Sequence, residues 1–529
     1  MWLYYSSTLG PSQELQMLIY RERHSVGGTN RVVSCPKMAD GQGDNPMEAD
    51  VKMLKSPQMG LKLVHMDLKG APPKMSYLRE IFPLFEQLGA DGILLEYEDM
   101  FPYNGNLQIL RSPNAYSPSD ITNLINLAKK HNFEIIPLVQ TFGHMEFVLK
   151  HNSFSHLREM RAFPNSLNPH KEESMELIKS MIDQIMAIHN DIRWLHIGSD
   201  EVYYLGEGEE SKQLIEHGQT NTDSLFLSHV KAVASYVIAT YPSVKPIMWD
   251  DMLRNISIDK LKESMLDQLV EPMIWEYNAD LDVRMMSLQI EKYQNTGFSQ
   301  IWFASAFKGA TGAAQCLTSI SYHLANHLQW LNIAEALPRN TIHLQGIALT
   351  GWQRYDHFSV LCELLPLGIP SLAICLQTLK HGEFSENVEE LVKKSLGCKS
   401  LQLNFPSSED AGKFPGSDIL AQVTEIIINL QVSVDKLLNE NIYIKGWFSN
   451  YHRKRKFVHL GIIQNFEGDA RGVHAQWEAA VSKLRTAMER IYYPDAVEEW
   501  LEEHVNPALT RLQIFVKDMD ETLASSTIN

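Results

Sequence analysis

Leu61-Lys62-Leu63-Val64-His65-Met66-Asp67 sets the rhythm that decides the fold: a short apolar run closing on a carboxylate, then a longer stretch at helical spacing. The same unit recurs downstream. Strands are expected at 61–67, 92–97 (GILLEY), 133–139 (FEIIPLV), 193–198 (RWLHIG), 246–250 (PIMWD), 272–277 (PMIWEY), 300–305 (QIWFAS) and 346–351 (GIALTG). Each is brief and rich in β-branched and aromatic residues. Helices are expected between them, at 76–88, 117–131, 172–188, 222–240, 283–296 and 315–334. Eight βα units in about 320 residues are the count and size of a (β/α)8 TIM-type barrel, an α/β fold. A doubly wound sheet is the rival, but no Gly-rich dinucleotide turn follows the first strand.

On either side of this region, taken as 60–395, the pattern changes. Residues 1–59 have no sustained periodicity and carry the patch Asp40-Gly41-Gln42-Gly43-Asp44-Asn45-Pro46, so a disordered extension is expected. From 410 to 529 the strand pattern stops. Ile419, Leu420, Val423, Ile426, Ile427, Leu430, Val434 and Leu437 recur at helical spacing, as do Trp477, Val481, Leu484, Met488 and Ile491. A C-terminal helical appendage is expected, packed on the barrel.

Composition narrows the function classes. The net charge of −17 argues against a nucleic acid partner, because phosphate binding needs a basic surface. The basic run His452-Arg453-Lys454-Arg455-Lys456 runs against that balance and reads as a solvated face or loop rather than a nuclear-import signal. No apolar stretch reaches membrane-spanning length, and the N-terminus lacks the features of a secretory leader. Five scattered cysteines without CxxC spacing suit a reducing compartment, so the cytoplasm or nucleus is expected. Asn255-Ile256-Ser257 fits a glycosylation sequon that chance also produces. Monomer and homo-oligomer both stay open.

Barrel enzymes build their active sites at the carboxyl ends of the strands. Those positions are polar and aromatic here. The first strand closes on Asp67, the third runs into Gln140-Thr141-Phe142-Gly143-His144, and the fourth into Gly198-Ser199-Asp200-Glu201. The last four carry Trp249, Trp275 with Tyr277, Trp302 and Trp352, out of ten tryptophans in the chain. Four such rings together suit a carbohydrate, whose C–H faces pack on aromatic faces. Asp200 and Glu201 are the sharpest feature. Strict strand alternation would turn them apart, but Gly198 loosens the exit from the strand and lets both reach the pocket. Neighbouring carboxylates repel when ionised, which pushes one pKa up and supplies a general acid near neutral pH.

His196-Ile197-Gly198-Ser199-Asp200-Glu201-Val202 resembles the H-x-G-G-D-E-V signature of family 20 glycoside hydrolases, the β-N-acetylhexosaminidases. Pro137–His144 is similar to the family's upstream P-E-x-D-x-P-G-H segment. HMDLKGAPPK (65–74), YEDMFPY (97–103), FGHMEFVLKH (142–151), DEVYYLGEG (200–208) and LTGWQRYDH (349–357) are similar to one branch of it. The resemblance implies retaining exo-hydrolysis of terminal β-linked N-acetylgalactosamine or N-acetylglucosamine, with a lean toward the former. It also implies substrate assistance, with the 2-acetamido oxygen attacking the anomeric carbon. Glu201 would be the acid and then the base, and Asp200 would hold the acetamido N–H. Trp249, Trp275 and Trp352 would form the walls, and Tyr277 would steady the acetamido oxygen. His144 is expected to orient a carboxylate and His196 to be structural. Three departures stand out: Ser199 replaces the second glycine, Gln140 replaces an acidic residue, and Asp67 and Lys69 stand where many members carry an arginine for sugar hydroxyls. Asp67 and Trp302 complete the expected substrate contacts. Neither cofactor nor metal is called for, and the partner is a glycoconjugate or oligosaccharide.

Two other classes remain open. A metal-dependent barrel hydrolase could use His65, Asp67, His144, His196 and Asp250 as ligands. A catalytically silent sugar-binding protein would keep the tryptophans but would need no acid.

Overall fold

The computed structural model describes residues 59–404 and 407–526. Among the described residues ten strands follow one another: β1 (Leu61–Asp67), β2 (Gly92–Glu96), β3 (Glu134–Leu138), β4 (Arg158–Met160), β5 (Phe163–Leu167), β6 (Trp194–His196), β7 (Lys245–Trp249), β8 (Glu271–Trp275), β9 (Gln300–Lys308) and β10 (His343–Gly351). Eight of them close into a parallel barrel in the order β1-β2-β3-β6-β7-β8-β9-β10. The eight expected strands are therefore the eight barrel strands. Strands β4 and β5 form an antiparallel hairpin inserted after β3. The sequence reading had no strand there: Arg158-Glu159-Met160 is too short and too polar to show a period.

Helices fall where the apolar spacing put them, at Met75–Leu88, Pro118–Lys130, Glu172–Ile188, Thr222–Thr240, Val283–Asn295 and Ile320–Ala336, with Leu365–His381 after β10. Local chemistry sets their ends. Ser117 and Asp120 form a capping box in front of Pro118, and Gly89 at φ +90° turns the chain out of the first helix. The sixth begins at Ile320 rather than at 315 because β9 runs on to Lys308 and pushes its loop later.

Alternation along the strands divides two cores. Leu63, Leu94, Ile136, Trp194, Ile247, Met273, Trp302 and Ala348 fill the barrel. Their neighbours Val64, Ile93, Ile135, Leu195, Met248, Ile274, Phe303 and Ile347 face the helices. At the amino end of the barrel, Glu271 accepts the indole N–H groups of Trp194 (3.1 Å) and Trp302 (2.8 Å). Trp302, expected at the sugar site, is thus in the floor. It is the third residue of a nine-residue strand whose carboxyl end is Lys308.

Beyond residue 416 the chain is helical, and the long elements are Glu467–Ile491, Pro494–His504 and Asn506–Ser526. Of the expected apolar positions, Trp477, Val481, Leu484, Met488 and Ile491 are buried, while Ile427 is only partly so. This appendage grips the barrel through the loop after β10. Glu499 accepts from Arg354 Nη2 (2.6 Å) and the Leu361 amide (3.0 Å), and Trp500 Nε1 donates to the Cys362 carbonyl (3.0 Å). The same loop begins with Trp352. The basic run lies on the short helix Asn450–Arg455 and its end, where Arg453 sits over the Phe515 ring at 4.9 Å. The disordered extension expected for 1–59 lies outside the described residues except for Met59, which is buried. Among the described residues no helix is long and apolar enough to cross a membrane.

Candidate active site

The exit from β6 explains how adjacent carboxylates face one pocket. Gly198 (φ +63°), Ser199 (+70°) and Glu201 (+41°) all lie in the left-handed region, so strand alternation is broken three times within four residues. Such backbone costs about 1–3 kcal/mol per non-glycine residue and persists only where its surroundings over-determine it. Here they do. Gln140 Oε1 accepts the Ser199 amide (3.3 Å), Thr141 Oγ1 donates to the Ile197 carbonyl (2.6 Å), and Asp251 accepts the Glu201 amide (2.9 Å). Gly143 lies against the Asp200 carbonyl so closely that a Cβ there would come within 2.0 Å of the oxygen. This approach brings His144, itself at φ +51°, between the two acids. Its Nε2 is 3.2 Å from Glu201 Oε2 and 3.5 Å from Asp200 Oδ2.

Electrostatics separate the pair. Burial raises the Asp200 carboxyl to about 6, with the Glu201 charge adding and His144 opposing. Burial works the same way on Glu201, but its hydrogen bond to His144 outweighs that and holds it below the ordinary carboxylate range. Burial would lower His144, yet the Asp200 charge and the Glu201 hydrogen bond hold it well above the ordinary imidazole range. The group pushed up by the crowding is thus Asp200, and the proton available near neutral pH is held on the His144–Glu201 pair. One consequence is measurable. A rate that depends on ionised Asp200 should fall on the acid side, with a limb in kcat/KM near pH 6. His144→Gln removes the cation that favours Asp200 ionisation, so this limb should move to higher pH. A pH–rate profile whose acid limb stays in place, or moves down, would exclude the assignment.

The walls form around this pair. Trp249 Nε1 is buried without a hydrogen-bond partner among the described residues, and the Trp249 ring lies 6.2 Å from that of Trp352. Trp275 stacks on Tyr277 at 5.1 Å and donates its indole N–H to Asp251 (3.2 Å). Burial, with the Asp200 and Glu201 charges adding to it, pushes the Tyr277 phenol well above its ordinary range. Trp249, Trp275, Trp352 and Tyr277 therefore share the mouth with the acids. Asp67 does not reach it. It is buried and accepts the Lys69 and Gln353 amides (3.0 and 2.8 Å), which ties the loop after β1 to the one that carries Trp352. Lys69 is the group under the wall, with Nζ 5.2 Å from the Trp352 ring. His196 accepts the Gly198 amide at 3.0 Å within the barrel, a structural position.

The residues of the metal reading scatter: His65 pairs with Glu96 (3.0 Å), and Asp250 with Arg254 (2.6 Å). Among the described residues no three His, Cys, Asp or Glu side chains converge as a metal site would need.

Hexosaminidase D from Homo sapiens is 55% identical to this chain over 464 residues, 88% of this chain and 95% of the relative. The chain belongs to glycosyl hydrolase family 20. Hexosaminidase D from Bos taurus is 61% identical over 342 residues, 65% of this chain and 98% of that relative. The model of the family 20 catalytic domain matches residues 93–301. Among solved structures, the chitobiase of Flavobacterium johnsoniae aligns at 12% identity over 88% of this chain and 72% of that one, with a TM-score of 0.47.

This family 20 chain is thus a glycoside hydrolase, and two parts of its site were not read from the sequence. Asp251 holds both the Glu201 amide and the Trp275 indole, while its neighbour Asp250 turns inward to Arg254 and the Tyr293 hydroxyl (2.8 Å). Two consecutive aspartates give no clue to which one faces the pocket. The second part is Tyr203, whose amide donates to the Glu201 carbonyl (2.7 Å) and whose phenol is pushed up by burial and by the Glu201 charge. It stands two residues after the acid in the quoted motif, but exposure rather than residue type sets it apart.

Proposed function

We propose that this chain is a retaining exo-β-N-acetylhexosaminidase that removes terminal β-linked N-acetylgalactosamine or N-acetylglucosamine by substrate-assisted catalysis. One observation carries the mechanism. Asp200 Oδ1 is buried without a hydrogen-bond partner among the described residues, beside aromatic walls, so it is an acceptor that an acetamido N–H would satisfy. A buried carboxylate oxygen left unpaired costs stability, and binding the N–H removes that cost. The carboxylates after β7 and β8 are engaged. Asp250 is held by Arg254, and Glu276 accepts the Tyr277 and Asn278 amides (2.9 and 3.1 Å). Asp250 is neutralised by its arginine and Glu276 is held by its own loop, which favours the substrate's own acetamido oxygen as the nucleophile. The name of the curated relatives supports the sugar class.

The acetamido oxygen attacks C1 while Glu201 protonates the leaving oxygen, and the C1–O bond breaks. For that step His144, 3.2 Å away, first passes its proton to Glu201, which is left as a carboxylate once the leaving oxygen has taken the proton. Asp200 stabilises the cationic oxazolinium through its N–H. Glu201 then takes a proton from water, which opens the ring with overall retention. The test is the electron density of the acetamido oxygen. Placing one, two and three fluorines on the N-acetyl methyl should lower the rate stepwise, and a 2-hydroxyl glycoside should be nearly inert. A rate indifferent to fluorination, with a trapped covalent fluorosugar, would replace this mechanism by one with a protein nucleophile.

A further inference from the structure

Three exposed aromatic rings lie on the segments bonded to the turn that carries Glu201, and the chemistry above uses none of their faces. Phe163 is 42% exposed, Tyr203 42% and Tyr204 49%. Phe163 and Tyr204 stack on each other, with centroids 4.3 Å apart and planes within 21°. Apolar rings left in water carry a cost, and grouped at the rim of a site they mark a binding surface. The backbone holds them there. Tyr204 is in the left-handed region at φ +59°, and Glu159 on β4 accepts the amides of Gly206 (3.0 Å) and Gly208 (3.2 Å). On β5, Asn165 Oδ1 accepts the Tyr203 amide (3.3 Å) and Ser166 Oγ donates to the Tyr203 carbonyl (2.9 Å).

The hairpin that carries Phe163 is also bonded to the segment that carries His144. The Met145 amide donates to the Asn165 carbonyl (2.8 Å), and the Leu167 amide to the Phe142 carbonyl (3.0 Å). Rings, imidazole and acid therefore belong to one fixed framework. Tyr204 is three residues after Glu201, a chain reach of at most about 11 Å.

We propose that Phe163 and Tyr204, with Tyr203 at their edge, form the subsite for the leaving group, and that its occupant is a pyranose ring β-linked to the terminal N-acetylhexosamine. The proposal rests on the function above, since Glu201 must touch the glycosidic oxygen while the N-acetylhexosamine fills the tryptophan pocket. The next sugar then emerges on the rim beside Glu201. Phe163 offers no hydrogen-bonding group, so recognition there uses the flat C–H face of the sugar rather than its hydroxyl pattern. The site is accordingly selective for a sugar over a small alkyl aglycone and tolerant of which sugar it is.

The test compares kcat/KM for a β-linked N-acetylhexosaminyl disaccharide with that for the methyl β-glycoside of the same N-acetylhexosamine. Phe163→Ala is expected to lower the disaccharide-to-methyl ratio about tenfold, equivalent to about 1.4 kcal/mol, chiefly through KM. Phe163→Tyr, which keeps the flat face, should restore the ratio. Tyr204→Leu, which keeps apolar bulk without the face, should lower it as Phe163→Ala does. A ratio that does not change, or equal losses on both substrates, would overturn the subsite while leaving the hexosaminidase reading intact. A wild-type protein that hydrolyses neither substrate would overturn the reading of the pocket, and the subsite with it.

Discussion

Glu201→Gln lowers kcat/KM for a methyl N-acetylhexosaminide by about 10² to 10⁴, the usual worth of a positioned proton donor. The glutamine keeps the shape and can still accept from His144, but it has no proton to deliver. The expected loss depends on the leaving group. An alkoxide needs the proton and shows the full effect, whereas dinitrophenolate departs unaided and shows little of it. The free protein sharpens the expectation, because Glu201 is held below the ordinary carboxylate range by its bond to His144. The proton reaches the leaving oxygen only if the pair passes it on through Glu201. Measuring kcat/KM across aglycones of graded acidity checks this. Losses of one size along the whole series would remove Glu201 from the role of acid.

Asp200→Asn is expected to lower kcat by about 10² to 10³, the scale set by deleting one preorganised stabilising group in other enzymes. A neutral amide cannot balance the oxazolinium charge, so affinity for a thiazoline mimic of that intermediate should fall in parallel. The same substitution should stabilise the fold. The Asp200 carboxyl is raised from 3.8 to about 6 by burial. A group raised on folding favours the folded state fully below its unfolded value and loses that contribution as pH rises through its folded one. Ionised Asp200 therefore costs the protein stability above pH 6, about 3 kcal/mol from the size of the shift. Thermal unfolding at pH 7.5 should show the variant more stable than wild type, with the gain shrinking at pH 5. A variant less stable than wild type at pH 7.5, or with a gain independent of pH, would mean that Asp200 is not held ionised against its surroundings. Activity that survives the substitution would remove it from the chemistry.

The barrel was legible in the sequence because burial on one or two faces writes a period into the chain. Runs such as 61–67 and 92–97 must be apolar to sit between barrel core and helices, and helices such as Glu172–Ile188 must repeat their apolar residues to cover them. The motif Gly198-Ser199-Asp200-Glu201 was legible for another reason: its carboxylates follow a His-Ile-Gly run at a strand end, in a segment that resembles the family 20 signature. What the sequence could not settle was where a side chain points once the period breaks. Trp302 had the right composition and the wrong end of the barrel, because β9 runs six residues past it before its strand closes. Asp67 had the right end, but both its oxygens are engaged by Lys69 and Gln353, the latter 286 residues away. The hairpin Arg158–Leu167 has no pattern of its own and exists only because it bonds to the segments around His144 and Tyr203. Local pattern follows from what each residue must bury, so it can be read along the chain. The division of labour between Asp200 and Glu201 could not be read that way. It is set by His144, held 56 residues upstream of Asp200 and brought within 3.5 Å of both by Gly143's contact with the Asp200 backbone. Charge and burial act through space, and only the closed barrel puts those groups in one place.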